Sequence, residues 1–268
     1  MRENAEQLRA HGLMGEAFAV LDEGLRTYRG SAALLREKAA MAEACGDIAG
    51  AERALREAIA ANPEDGQLYV TLARIAQDHG NIGGAETTLK RACRVCRDGT
   101  VRAALGDLYE RLGRREEAKT AYSVGIESEP TWGANYIALS RVLEAEGEHQ
   151  MAVGTLQKGC EQAPKDGNVW TVLGSFHERH GRTEEAETAY SGGIENVAAW
   201  GPCYVALARS LEARGEQDAA LAILRRGCEQ AGKDGHVWTA LGSFHERYGR
   251  MEEAGAASKG ARSRQQPR

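Results

Sequence analysis

A glycine that recurs every 34 residues is the feature that most restricts the fold of this sequence. Each of these glycines is followed by an alanine after five residues and by a small residue after twelve. The spacing falls to 33 residues once, between Gly80 and Gly113. The recurring glycines are Gly12, Gly46, Gly80, Gly113, Gly147, Gly181, Gly215 and Gly249. A register kept over eight copies predicts a tandem array of one supersecondary unit.

The residues on either side of each glycine follow a helical period. After Gly181, the residues Ala186, Tyr190 and Gly193 are small, large and small at i, i+4 and i+7, so they share one helix face. Before it, Trp170 and Leu173 begin a second helical stripe. A glycine between two such stripes predicts a tight turn with a positive φ. Each unit is therefore expected to be helix A, turn, helix B, in an all-α chain of fifteen or so helices without β-sheet.

We place the eight repeats at about residues 1–31, 32–65, 66–98, 99–132, 133–166, 167–200, 201–234 and 235–262. They are expected to form one domain over residues 1–262, followed by a basic, flexible tail over residues 263–268. The first helix A is short and the last helix B has Ser258 in place of a large residue. Because terminal repeats need a polar outer face, we interpret the C-terminus as a natural end and the N-terminus as a truncation.

The arrangement resembles the tetratricopeptide repeat, a helix-turn-helix unit of 34 residues. With the turn glycine as position 15, Trp170, Leu173 and Gly174 match family positions 4, 7 and 8. Ala186 and Tyr190 match positions 20 and 24. The resemblance implies a right-handed α-solenoid that binds a partner in a concave groove lined by the A helices.

An acidic residue near the end of most A helices, such as Glu144 or Glu178, also resembles the half-a-TPR repeats of RNA-processing proteins. That subfamily favours an Ala-Arg pair early in helix B. Here the alanines are followed by other residues, for example Glu52 after Ala51 and Glu187 after Ala186. The subfamily resemblance is therefore weaker than the superfamily resemblance.

A second period of 68 residues lies over the first. Residues 136–195 and 204–263 are identical at more than half of their positions, and the pentapeptide Ser-Phe-His-Glu-Arg at 175–179 returns at 243–247. Similarity of this degree exceeds what a shared fold requires, so it indicates a duplication of two repeats. A motif that appears twice for this reason is not evidence of a functional site.

Composition and charge argue against several classes of function. The formal net charge of −5 shows no electrostatic footprint for nucleic acid or anionic lipid. No apolar run reaches the ~20 residues of a membrane span, and the N-terminus lacks the features of a signal peptide. We expect an intracellular protein, cytoplasmic or nuclear, with an organelle as the alternative if an N-terminal leader is missing.

Cysteine and histidine do not form a recognisable chemical site. Cys93, Cys160 and Cys228 share one position of helix B, where sister repeats have leucine or isoleucine, so they are predicted to be buried packing residues. The CxxC of Cys93 and Cys96 then arises because Cys96 stands three residues after a packing cysteine, and we expect it to bind no metal.

His177 and His245 stand where sister repeats have tyrosine or leucine, and we interpret them as packing residues. No catalytic or phosphate-binding motif is present. We therefore expect no enzyme activity, no metal, no cofactor and no small-molecule substrate.

Helix A carries the candidate partner-binding residues, because the resemblance places positions 2, 5, 9, 12 and 13 on the groove. In this chain the charged residues at those positions are arginine or acidic. Arginine alternates between positions 9 and 13, and glutamate holds position 12 in most repeats. The candidates are Arg74, Arg111, Arg141, Arg179, Arg209, Arg247, Glu144, Glu178 and Glu212.

Two interpretations of these residues remain open. The first is an arginine ladder that grips a carboxylate-bearing peptide or a phosphate backbone. The second is a self-neutralising lattice in which arginine and glutamate pair within and between repeats. Near-equal numbers favour the lattice, which predicts Arg141, Arg179 and Arg209 each within ~4 Å of a carboxylate.

Trp132 and Trp200 occupy position 34, in the connection to the next repeat. Packing over the join between helix pairs is the favoured interpretation, and stacking on a base or anchoring a peptide is the alternative. Two functions follow: a non-catalytic scaffold that binds a protein or peptide in its groove, and a half-a-TPR-like RNA-processing factor. The acidic charge and the balanced groove favour the scaffold.

Overall fold

The computed structural model describes residues 2–232 and 234–265, which form sixteen helices and no strand. The helices are α1 (Arg2–Ala10), α2 (Met14–Thr27), α3 (Ala32–Ala44), α4 (Ile48–Ala61), α5 (Gly66–Asp78), α6 (Ile82–Val95), α7 (Gly99–Arg111), α8 (Arg115–Ser128), α9 (Gly133–Ala145), α10 (His149–Gln162), α11 (Gly167–Arg179), α12 (Thr183–Asn196), α13 (Gly201–Ala213), α14 (Gln217–Gln230), α15 (Gly235–Arg247) and α16 (Met251–Gln265). Odd-numbered helices are A helices and even-numbered ones are B helices. The predicted all-α fold of eight helix-turn-helix repeats is confirmed.

The chain divides into two units, Met1–Glu129 and Pro130–Arg268. Each unit is an α-solenoid of four helix pairs, in which a B helix packs against the A helix before it and the A helix after it. The single domain expected over residues 1–262 stays a prediction.

Helix α16 continues to Gln265, so residues 263–265 of the expected flexible tail are helical, and residues 266–268 lie outside the described residues. Within the described chain, no helix is both long and apolar enough to cross a membrane.

The turn between each A and B helix is closed by its glycine. All eight recurring glycines have φ between 70° and 83°, as predicted. At Gly181 the backbone N–H binds the carbonyl of Glu178, and the N–H of Arg182 binds the carbonyl of His177. This is the Schellman arrangement, which satisfies the last carbonyls of helix A and needs a left-handed residue. Gly30, between α2 and α3, has φ of 75° as well and was not predicted.

Within a repeat, the size of position 8 in helix A matches the size of position 24 in helix B. Where position 24 is tyrosine, position 8 is glycine: a methyl group on Gly106 or Gly174 would overlap the ring of Tyr122 or Tyr190. Where position 24 is leucine, position 8 carries a side chain, as in the pair Ala39 and Leu55. The size of the residue at position 8 therefore compensates for the size of the residue at position 24, so that helix A and helix B stay close-packed in each repeat.

In four of the described repeats, an aromatic residue at position 4 of helix A joins the repeat to the preceding one. Its side chain donates a hydrogen bond to the backbone carbonyl six residues earlier, in the connection from the preceding helix B. The distances are 3.0 Å for Tyr69 to Pro63, Trp170 to Pro164 and Tyr204 to Ala198, and 3.3 Å for Trp238 to Gly232. Each bond therefore holds an inter-repeat connection against the helix that follows it.

An ion-pair cluster joins consecutive repeats in the first unit. Glu86 on α6 accepts from Lys90 at 2.7 Å and from Arg114, in the next repeat, at 3.0 Å. Arg114 also pairs with Glu117, and its guanidinium lies 4.4 Å from the centre of the Tyr109 ring. The hydrogen bonds from Lys90 and Arg114 lower the pKa of Glu86 from 4.5 to about 2.

Gly174 and Gly242 offer a matched test of helix spacing, because both stand at position 8 in the duplicated Leu-Gly-Ser-Phe motif. The nearest atom to a methyl group on Gly242 is the Ser258 hydroxyl, at 3.6 Å. We expect Gly174→Ala to lower the free energy of unfolding by about 1–3 kcal/mol through overpacking against Tyr190. Gly242→Ala should leave it unchanged or raise it by up to about 1 kcal/mol, because alanine favours helix. Urea unfolding followed by circular dichroism measures both, and equal effects would contradict the assigned contact.

Glu86 is expected to make the stability of the chain sensitive to acid. Its folded pKa is lower than its ordinary value, so its stabilising effect is present above about pH 4.5 and is lost as the pH falls towards 2. Below pH 5, the free energy of unfolding should therefore fall less steeply with pH in Glu86→Gln than in the unsubstituted chain. The difference between the two slopes should correspond to the uptake of at most about one proton on unfolding. Urea unfolding at a series of pH values measures this slope. Glu116→Gln, on the exposed side of α8, is the control, and it should keep the original slope.

Candidate partner-binding surface

Arginine and glutamate on the A helices pair across the boundary between neighbouring repeats. Four of these pairs share the same acceptor position on helix A, and we call them the Arg–Glu ladder. They are Arg74 with Glu43 at 2.8 Å, Arg179 with Glu144 at 2.8 Å, Arg209 with Glu178 at 3.1 Å and Arg247 with Glu212 at 2.6 Å. The ion pairs predicted for Arg179 and Arg209 are confirmed.

Helix geometry explains why arginine can alternate between two positions. Positions 9 and 13 are four residues apart, so both face the same side of helix A. Arg209, at position 9, donates to Glu178 of the preceding repeat, and Arg247, at position 13, donates to Glu212 of the preceding repeat. Glutamate at position 12 is the common acceptor. The same register places Arg111 against Gln77, with a hydrogen bond of 3.1 Å to the amide oxygen.

The arginines of the ladder are the outer partners and the glutamates the inner ones. The arginine side chains are 49–68% exposed, whereas the paired glutamates are only 18–26% exposed. Several contacts are bidentate: Arg247 donates through Nε and Nη2 to the two oxygens of Glu212. The guanidinium edge that faces solvent therefore keeps unused donors, since arginine carries five N–H groups in a fixed plane.

Two carboxylates of the ladder, Glu43 and Glu144, have a pKa that their partners lower. The hydrogen bond from Arg74 lowers the pKa of Glu43. Burial alone raises the pKa of Glu144, but the hydrogen bonds and charges of Arg179 and His180 outweigh it, so the pKa is lowered. Arg141 lies exposed on α9, and its expected carboxylate contact stays a prediction.

The two position-34 tryptophans differ in environment. Trp200 is half-buried, its ring lies against Gly167, and its Nε1 donates to the Thr171 hydroxyl at 3.0 Å, so the packing interpretation is confirmed for this residue. Trp132 is 37% exposed. Both rings line a cleft of about 540 Å³ that also contains Pro164. Trp132 is therefore the tryptophan whose ring remains accessible to a partner.

Histidine and cysteine behave mainly as packing residues. His177 and His245 are buried at 5% and 3% exposure, more fully than a half-buried packing role implies. Burial lowers the pKa of both, so they stay neutral near pH 7. Burial also raises the pKa of Cys160, to about 12.

The cysteines at the shared helix-B position are not equally buried. Cys160 and Cys228 are buried, whereas Cys93 is half-buried and lines a cavity. Cys96 Sγ lies 3.7 Å from the Pro63 carbonyl oxygen and donates to it. That cavity, about 320 Å³ beside Arg102, is the feature that the sequence analysis missed. The signal was present in the sequence, because Arg102 interrupts the series of aromatic residues at position 4.

Comparison with known proteins agrees with this geometry. Residues 5–137 match a family described as a tetratricopeptide repeat-like domain, and residues 202–244 match a tetratricopeptide repeat family. No curated protein sequence matches the chain.

Two solved structures are similar to the chain at low sequence identity. Yeast Tom70 is 15% identical with a TM-score of 0.64, over 96% of this chain and 56% of Tom70. Pseudomonas aeruginosa pilF is 14% identical with a TM-score of 0.51, over 72% of this chain and 88% of the other. At this identity the structural likeness concerns the fold alone. Together with the turn glycines and the helix-pair packing, these matches show that the chain belongs to the tetratricopeptide repeat superfamily.

Proposed function

We propose that this chain is a non-catalytic scaffold whose Arg–Glu ladder binds an extended, carboxylate-bearing peptide of a protein partner. Tetratricopeptide repeat proteins generally act as scaffolds for protein interaction. The observation that carries the proposal is the layering of the ladder, in which exposed arginines lie outside partly buried glutamates. A ligand that approaches this face meets guanidinium donors first.

A peptide carboxylate can bind to the arginines of the ladder while their ion pairs with glutamate stay in place. An exposed ion pair contributes only about 0–1 kcal/mol, so a competing carboxylate can share the arginine at little cost. Arg209 donates to Glu178 through Nη2, and Arg179 and Arg247 contact their glutamates through Nε and Nη2. Each guanidinium therefore retains at least Nη1 for an additional acceptor. Three such groups on consecutive A helices suit a chain of carboxylates better than a single small anion.

A half-a-TPR-like RNA factor is the second candidate, and the exposed ring of Trp132 favours it because a base can stack on such a ring. The ladder argues against it. A phosphate track needs arginines that are not already neutralised, whereas each arginine of the ladder has a carboxylate partner. The net charge of −5 adds repulsion. The scaffold is therefore ranked first.

Charge reversal of the ladder tests the scaffold proposal. We expect the combined variant Arg179→Glu, Arg209→Glu and Arg247→Glu to lose its protein partners in a pull-down, because acidic segments would meet six carboxylates in place of three ion pairs. Capture by the unsubstituted chain should survive ribonuclease treatment and should be competed by a glutamate-rich peptide but not by a lysine-rich one.

Arg225→Glu, on the exposed surface of α14, is the control for a general change of charge, and it should keep the partners. Circular dichroism establishes that each variant is folded. Partners that are retained by the triple variant would refute the ladder as the binding surface.

Direct titration tests the RNA alternative. We expect no measurable affinity for single-stranded RNA at physiological salt by fluorescence anisotropy, because the arginines of the ladder are already paired with carboxylates. Tight, salt-sensitive binding would place the RNA factor first if it were abolished by Arg141→Ala combined with Arg209→Ala. In that case each lost phosphate contact should reduce the salt slope by about 0.7.

A further inference from the structure

Among the A helices from α5 to α15, α7 lacks the aromatic residue that the others carry at position 4. Tyr69, Trp170, Tyr204 and Trp238 all fill this place and bind the carbonyl six residues earlier. On α7 the residue is Arg102. Its Nη1 lies 3.5 Å from the Cys96 carbonyl, also six residues earlier, and its Nη2 lies 3.4 Å from the Cys93 carbonyl. Arginine thus keeps the polar link but supplies no ring.

The missing ring leaves a cavity of about 320 Å³. Its walls are mainly apolar and include Leu105 on α7, Ala121 and Val124 on α8, and Cys93 on α6. In the α11–α12 pair, the space that corresponds to this cavity is filled by a ring. There Gly192 takes the position of Val124, and the Trp170 ring lies so close that a methyl group on Gly192 would be 2.5 Å from Cζ3.

The volume and the apolar lining of the cavity suit one aromatic ring system. Small-molecule pockets span about 300–1,000 Å³, and this one lies at the lower end of that range. The equivalent position in sister repeats accepts phenol and indole rings from the chain itself. The same backbone framework in the α7–α8 pair therefore leaves an apolar space, which we call the slot, that a ring from outside could occupy.

Arg102 adds a positive charge at the edge of this slot. Its contacts to the two carbonyls are long, and within residues 2–232 and 234–265 it forms no ion pair. The acidic residue of the lining, Glu117, is already paired with Arg114. A carboxylate that enters beside the ring would therefore meet an arginine without a competing acid.

We propose that the cavity between α6, α7 and α8 binds an aromatic ring that carries a carboxylate, with the ring between Leu105 and Val124 and the carboxylate on Arg102. This site does not depend on the scaffold proposal, because no residue of the Arg–Glu ladder lines the cavity. The same chemistry is found in a free aromatic acid and in a peptide that ends in an aromatic residue.

Ligand-observed NMR and calorimetry on the full chain test the site with four probes. Indoleacetate represents the free acid, and indoleacetamide is its neutral analogue. A short peptide that ends in tryptophan represents the second source, and its amidated form is the neutral control. We expect indoleacetate to bind with a dissociation constant on the order of 0.1–1 mM, as is usual for a ligand of this size. A tenfold or greater preference for the peptide acid would identify a peptide C-terminus as the source, and a preference for indoleacetate would identify a free acid.

Four variants locate the binding. Arg102→Gln should weaken both acids about tenfold and leave the neutral probes unchanged, because only the charge is removed. Arg102→Tyr should abolish binding of all four probes, since its ring would occupy the slot as Tyr204 does in its own repeat. Val124→Phe fills the slot from the exposed side of α8 and should act in the same way. Arg94→Gln, an exposed arginine of α6 outside the cavity, is the control and should bind like the unsubstituted chain.

Absence of binding to the unsubstituted chain would overturn the proposal. Binding that persists in both Arg102→Tyr and Val124→Phe would overturn it as well, because the ligand would then lie elsewhere. Thermal unfolding of each variant verifies that a loss of binding is not a loss of fold.

Discussion

The close approach of helix A and helix B within each repeat is the contact on which the rest of the structure depends. It requires a turn glycine with positive φ at one end and a small residue opposite a large one in the middle. Gly174 against Tyr190 and Ala39 against Leu55 are two solutions of the same packing problem. Because the interior is close-packed, a change in one member of such a pair has to be matched in the other.

Two kinds of polar contact, hydrogen bonds and ion pairs, connect each helix pair to the next. Most of the position-4 aromatic residues, such as Trp170 and Tyr204, hold the connecting segments through single hydrogen bonds to carbonyls. The Arg–Glu ladder joins exposed A helices through bonds that are individually weak. Buried contacts therefore carry most of the stability of a repeat, and the exposed ladder contributes little to it.

Individual residues that depart from the repeat pattern give this chain its particular surface features. Arg102 replaces a ring and opens a cavity, and the two position-34 tryptophans end in different environments, with Trp200 held by Thr171 and Trp132 exposed. The buried histidines His177 and His245 are a counterexample. They look like a repeated motif, yet burial keeps them neutral and the duplication accounts for their recurrence.

The sequence by itself determined the helix-turn-helix unit, because glycine at Gly181 and its equivalents satisfies a local backbone requirement that few other residues can meet. It also indicated that arginine and glutamate of the A helices would pair, since their positions follow from helical periodicity. Only the tertiary structure decided which glutamate each arginine reaches, which partner faces solvent, and that the place of a missing ring beside Arg102 stays open. These features depend on distances between different helices, and periodicity along one helix does not specify them.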